Sequence, residues 1–249
     1  MKSRLEGRKS GMNRDMIKGI AMVTMTLNHI AAAFLEPGTV SYEILTDIGY
    51  FTAITMCYFL VEGYAYTRSK RKYVIRLLIF ALLSQIPYAM VFSEEKHLLT
   101  TNLNMMFTLF FCFWIIYAQK EIMPDNTRRN ITMISVFATA FCDWPIFAAI
   151  FTLLFLWAEE SEERKRKAFL LSMCLFGVIW FVQRVGIYSF NTSLILALGS
   201  MTGIGLSGIC LLYFYNGRKC RKGAAFLKWV FYLYYPVHLL ILGLIRWYR

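Results

Sequence analysis

Few ionisable residues stand inside the apolar stretches of this 249-residue chain, and they are the natural candidates for chemistry. They are His29, Glu62 and His238, with Asp15, Lys18, Arg76, Asp143 and Arg184 close to the ends of apolar runs. A charged or titratable side chain is costly inside a bilayer and marks a functional site by default. Histidine is the type suited to moving a proton near neutral pH, through either ring nitrogen. Lysine and arginine would attract an anionic ligand. A carboxylate such as Asp15 or Glu62 would orient a cation.

The spacing in the first apolar run is informative. Asp15, Lys18 and His29 lie at intervals of three and eleven residues. At ~100° per residue, eleven residues return to within ~20° of the starting direction, so Lys18 and His29 share a helix face. Asp15 falls about 40° from it. A polar stripe therefore runs from the helix start to ~16 Å along the axis. It could line a path for a charged, elongated ligand, or it could be a boundary Asp/Lys pair with a histidine packed between helices. His238 follows Lys228 by ten residues in the last apolar run, on a helix of the same direction, so both histidines fall at similar depth. Tyr234 sits one turn before His238 on the same face, and Pro236 is placed to kink that helix. The two histidines could flank one cavity, or His238 could make a structural bond to a tyrosine. Glu62 either faces a pocket or pairs with a nearby basic loop. Asp143 reads as a turn or cap residue. Two histidines without a third closely spaced ligand do not make a metal site. No nucleophile elbow or phosphate-binding glycine loop stands in a supporting context.

These residues sit in an apolar frame. Hydrophobic residues make up 58% of the chain, charged residues only 17%, and mean hydropathy is +0.49. Soluble domains are about 45–50% apolar and about 25% charged, so a soluble enzyme and a disordered chain are both excluded. Apolar segments run over 16–35, 47–66, 74–92, 103–119, 130–142, 146–158, 168–184, 192–215 and 226–246. The expected fold is all-α: a polytopic helical membrane protein of about nine spans, forming a single domain over 1–249. The segment 130–158 reads as a short or re-entrant hairpin with Asp143-Trp144-Pro145 at its tip. Such a tip persists only where protein or a wet cavity covers it.

The charge pattern supports this topology. The formal net charge is +12, yet the cations cluster in alternate loops rather than on one soluble face. All of the 27 Lys and Arg residues except Lys96, Arg184, Arg246 and Arg249 fall on one side of the nine-span arrangement. The positive-inside rule puts that side, and the N-terminus, in the cytoplasm. This explains the basic balance without nucleic acid. Asn28 and His29 interrupt the first apolar run and many spans follow, so this run reads as a retained helix rather than a cleaved signal. The six cysteines are scattered without CxxC spacing, and give no disulfide framework or zinc pattern.

Several blocks carry a family resemblance. Asn13 to Ala21, ending in Asn28-His29-Ile30, resembles the opening of the TraX family of pilin N-acetylases. Phe59 to Tyr64 with Thr67-Arg68, Arg76-Leu77-Leu78 through Ser84 to Tyr88, Tyr213 to Arg218, and Phe231 to Leu240 resemble its later motifs. More distantly the chain is similar to the acyltransferase-3 superfamily of integral membrane acyltransferases. That superfamily opens with an acidic residue, an arginine and a histidine at the spacing of Asp15, Lys18 and His29. Lysine stands here in the arginine position, and nine spans stand against ten.

The resemblance implies a membrane acyltransferase of a bacterial inner membrane, with acetyl-CoA as donor from the cytoplasm and no bound cofactor or metal. The acceptor would be a pilin-like peptide amine or a cell-surface glycan hydroxyl. His29 would be the general base and His238 a second acid/base or orienting group. Asp15 would hold Lys18 or the helix end, and Lys18 would contact the donor. Glu62, Arg76 and Tyr234 would be pocket residues. Transfer would be direct or pass through an acyl-histidine. A transporter using the polar stripe, and an assembly protein with packing histidines, are the alternatives.

Overall fold

The computed structural model describes residues 11–93, 101–220 and 223–248. Lys2, Arg4, Arg8, Lys9, Lys96, Arg221, Lys222 and Arg249, part of the charge pattern above, lie outside the described residues. The described residues form nine α-helices: α1 (Arg14–Phe34), α2 (Val40–Tyr66), α3 (Lys70–Phe92), α4 (Met105–Lys120), α5 (Asp125–Thr139), α6 (Phe147–Ala158), α7 (Glu162–Arg184), α8 (Phe190–Ile209) and α9 (Ala224–Tyr248). A π-helical turn, Cys210–Phe214, extends α8. Six of these helices (α1, α2, α3, α7, α8 and α9) are long and apolar enough to cross a membrane, and α4 and α6 are shorter apolar helices. The protein is a polytopic helical membrane protein. Lipid offers no hydrogen-bond partners, so each span satisfies its backbone within a helix.

Short polar residues set where the helices begin. Asn13 accepts from the Asp15 and Met16 amides at 3.0 and 2.9 Å. Thr39, Ser69, Asn104, Ser161 and Ser189 cap α2, α3, α4, α7 and α8 in the same way. α9 runs as one element through Pro236. Cys57, Cys112, Cys142, Cys174 and Cys210 are free thiols.

The centre of the bundle is α2, packed by α1, α8, α6 and α4, while α9 lies against α3 and α1. Apolar packing alone gives little net association in lipid, so small residues and buried hydroxyls take over. The Thr24 and Thr52 hydroxyls meet at 2.9 Å, and Thr52 donates to the Ala21 carbonyl at 2.7 Å. The Thr55 and Ser207 hydroxyls join α2 to α8 at 2.7 Å. A Cβ on Gly49 would strike Asn28, so the glycine allows α1 its close approach to α2.

The 130–158 segment is two short helices, as the sequence indicates, but they barely touch. α5 lies on α4, whereas α6 packs against α2, α4 and α7. Their corner is tied instead to the start of α4. The Asp143 amide donates to the Leu103 carbonyl at 2.6 Å, and the Leu103 amide donates to Phe141 at 3.0 Å. The Thr108 hydroxyl donates to the Asp143 carbonyl at 2.6 Å. Trp144 and Ile146 both take left-handed backbone angles, φ 59° and 63°. That conformation costs a bulky residue energy and persists where neighbours over-determine it.

Candidate functional site

The faces predicted for α1 and α9 meet. His29 and His238 are each 6% exposed, and the His29 Nδ1 lies 2.8 Å from the His238 Nε2. The rings are nearly parallel, with centroids 5.1 Å apart and planes 8° apart. The bonding pattern fixes the tautomers. His238 Nδ1 lies 2.8 Å from the Tyr234 carbonyl oxygen, which only accepts, so Nδ1 carries the proton. In the neutral ring the His238 Nε2 is then an acceptor, and the His29 Nδ1–H must donate to it. The lone pair of His29 is left on Nε2.

His29 borders a cavity of about 350 Å³. Its walls come from Tyr42 at the start of α2, Phe92 at the end of α3, Gln183 at the end of α7, and the Asp143-Trp144-Pro145 corner. All of these lie opposite the basic loops, so this is the outer cavity. Tyr50, Phe176 and Trp180 add aromatic walls.

A second cavity, of about 410 Å³, opens from the basic-loop side. Arg14, Lys18, Arg76, Lys219 and Lys228 line it, with Asp15 as its acidic member. Met25, Thr52, Met105 and Tyr235 line both cavities and form the seam between them. On α1 the face is continuous. Asp15, Lys18, Met22 and Met25 line the inner cavity, and Met25, Asn28, His29 and Ala32 line the outer one. The helical stripe read from the sequence thus spans both.

The inner cavity holds its cations against aromatic rings, a backbone carbonyl and a carboxylate. The Lys18 ammonium sits 5.2 Å from the Phe231 ring centroid and 5.9 Å from that of Phe59. The Arg14 guanidinium donates to the Phe59 carbonyl at 3.1 Å, stands 3.7 Å from Glu62, and passes beside Gly63. A Cβ on Gly63 would lie 2.9 Å from Arg14 Nη2. The Nε atoms of Arg14 and Arg76 are buried without a hydrogen-bond partner among the described residues. Buried donors of this kind are costly unless a ligand or water meets them. Burial, and then the neighbouring Arg14, lower the Lys219 ammonium below its ordinary value.

The structure sorts the sequence candidates. Asp15, Lys18 and Arg76 line the inner cavity, and His29 lines the outer one. Asp15 accepts from the Cys220 amide at 2.8 Å, which pins the 215–220 loop over the start of α1. His238 stands behind His29, outside both cavity walls. Glu62 accepts from the Tyr215 hydroxyl at 2.8 and 3.0 Å and braces Arg14 from outside the inner cavity. The Tyr234 hydroxyl meets that of Thr26 at 2.6 Å, and its ring stacks on His238, away from both cavities.

Several residues in the cavity walls escaped the sequence reading. Tyr235, not Tyr234, faces the seam, and its hydroxyl accepts from the Met105 amide at 3.2 Å. Lys228, Phe231, Tyr232 and Tyr235 recur at helical spacing along the inner cavity, a period readable in the sequence. Lys219 reaches the cavity because the Tyr215–Arg218 stretch straps the start of α1. The Met12 amide donates to the Phe214 carbonyl at 2.8 Å, and the Arg14 amide donates to the Arg218 carbonyl at 2.8 Å. Asp143, read as a turn residue, is also a wall of the outer cavity.

Comparison with known proteins agrees with the motifs. A family model described as TraX protein matches residues 13–246. The chain is 32% identical over 232 residues to a protein of Dichelobacter nodosus named "Probable fimbrial assembly protein FimC, serogroup H1", covering 91% of this chain and 92% of that protein. No solved structure matches. With its motifs, its helical membrane fold and a match over nearly its whole length, the chain belongs to the TraX family.

Proposed function

We propose that this protein is an acyltransferase of a bacterial inner membrane, moving an acetyl group from acetyl-CoA on the basic-loop side to an amine or hydroxyl acceptor on the other. The observation that carries this reading is the His29 lone pair, oriented by His238, on a cavity that abuts a cation-lined one.

In this reading the polyanionic donor occupies the inner cavity. Lys18, Arg76 and Lys219 meet its phosphates, and Arg14 is held ready by Glu62 and Gly63. The thioester reaches the seam beside Tyr235. The acceptor enters from the outer cavity and attacks the thioester carbonyl carbon as His29 Nε2 takes its proton. The resulting imidazolium strengthens the Nδ1–H bond to His238, because a charged donor makes the stronger hydrogen bond. The Tyr235 hydroxyl, which accepts from Met105, keeps its own proton to offer the tetrahedral oxyanion. Collapse breaks the carbon–sulfur bond, and His29 returns the proton to the thiolate. This sequence needs no acyl-enzyme.

The printed name of the Dichelobacter relative favours a second reading, an assembly role without catalysis. The test is purified protein in nanodiscs with isotopically labelled acetyl-CoA, offered pilin-like peptides and surface glycans. Label on an acceptor, with release of CoA, supports the acyltransferase. A well-folded protein that binds no donor would overturn it.

A further inference from the structure

The outer cavity contains a carboxylate for which the account above has no use. Asp143 stands at the strained α5–α6 corner, where its backbone is tied to Leu103 and Thr108 while its side chain forms no ion pair among the described residues. The corner is held by backbone bonds, and the carboxylate, which accepts from the Trp144 amide, keeps acceptor sites for a ligand. Around it is an aromatic cluster. Trp144 stacks on Phe176 at 5.3 Å and 18°, and Tyr50 meets both edge-on at 5.5 and 4.9 Å. Trp180 lies 6.1 Å from Tyr50. A carboxylate beside aromatic faces suits an ammonium group, through charge and through the quadrupoles of the rings. A neutral hydroxyl would gain from neither to the same degree.

We propose that Asp143 is the specificity-determining residue of the outer cavity, anchoring the ammonium of an amine acceptor whose apolar neighbours lie on the aromatic walls. This rests on the reading of His29 as general base, and it completes the proton count. An alkylammonium acceptor must lose two protons to become an amide, whereas a hydroxyl loses one. The Asp143 carboxylate takes the first and releases it to the outer side, leaving a neutral amine. That amine attacks the thioester carbonyl, His29 takes the second proton, and the proton passes to the departing CoA thiolate. The products are the amide, the CoA thiol and one proton in solution.

The experiment uses the full chain in nanodiscs and two probes that differ at one group. One is a five-residue apolar peptide amide beginning with alanine. The other carries a lactoyl group in place of that alanine, so that a hydroxyl replaces the ammonium. Calorimetric titration without donor should show the amine peptide binding wild type about 10-fold or more tightly than its hydroxyl analogue. Asp143→Asn should bring the two to near parity, and Asp143→Glu should keep part of the preference. Equal binding of the two probes by wild type, no binding of either, or a preference that survives in Asp143→Asn would overturn the proposal. The comparison within wild type stands even where a variant fails to fold. Adding labelled acetyl-CoA separates the two claims. An Asp143-dependent preference without transfer would leave the anchor standing and remove the acyltransferase reading. Transfer to both probes without preference would do the reverse.

Discussion

The His29 Nδ1 lies 2.8 Å from the His238 Nε2, and the second ring's remaining nitrogen is bonded to the Tyr234 carbonyl. This chain of bonds makes His238 a positioning residue for His29, without a place in the cavity wall. It fixes which nitrogen of His29 is basic and accepts the stronger bond that forms when His29 is protonated.

His238 variants therefore act on kcat and leave the donor KM nearly unchanged. We expect His238→Leu to lower kcat by about 10–100-fold, and His238→Gln by less, because its amide oxygen can still accept from the His29 Nδ1–H. Steady-state kinetics of the three proteins check this. A loss carried by KM alone would assign His238 to substrate binding.

Lys18 acts on the donor. Its ammonium lies between the Phe59 and Phe231 rings on the inner cavity, with no carboxylate bonded to it among the described residues. Lys18→Met should weaken acetyl-CoA binding by about 10-fold, Lys18→Arg by less, and the wild-type affinity should fall as salt rises. Donor titrations at low and high ionic strength measure all three.

Tyr235 sits on the seam with a hydroxyl hydrogen to donate. Tyr235→Phe should cost kcat about 10²-fold, within the range for loss of one oxyanion donor. Tyr234→Phe, whose hydroxyl is engaged with Thr26, should cost far less. Equal effects of the two substitutions would remove Tyr235 from the transition state.

Gly63 gives the Arg14 guanidinium room, since an added Cβ would lie 2.9 Å from Arg14 Nη2 and 3.3 Å from the Tyr73 hydroxyl. Gly63→Ala should destabilise the protein by about 1–3 kcal/mol, as overpacking does, and should weaken donor binding, because Arg14 and Tyr73 both line the inner cavity. Thermal unfolding in detergent and donor titration of one sample read both effects.

The sequence revealed the stripe on α1 because Asp15, Lys18 and His29 repeat at helical spacing on an otherwise apolar helix. It also placed both histidines at one depth, since Lys18 and Lys228 mark the same boundary. Their pairing was not legible, because helix adjacency is set by packing of α1 and α9 against their neighbours. That Tyr235 rather than Tyr234 lines the cavities was hidden for the same reason. One residue is about 100° of rotation, and only the packing of α9 decides which of two adjacent tyrosines faces the seam. Lys219 was hidden because its position depends on a strap closed by Tyr215 and the Met12 backbone. Asp143 looked like a turn residue because it is one, and its place in a cavity wall follows from tertiary bonds to Leu103 and Thr108.

The central claim is that His29 removes the acceptor's proton. It is tested most directly by following CoA release and label transfer from acetyl-CoA with wild type and His29→Ala, alongside donor affinity and thermal unfolding of both. We expect His29→Ala to lower transfer by about 10²–10⁴-fold, with donor binding and folding retained. A folded His29→Ala protein that transfers acetyl groups at the wild-type rate would contradict it.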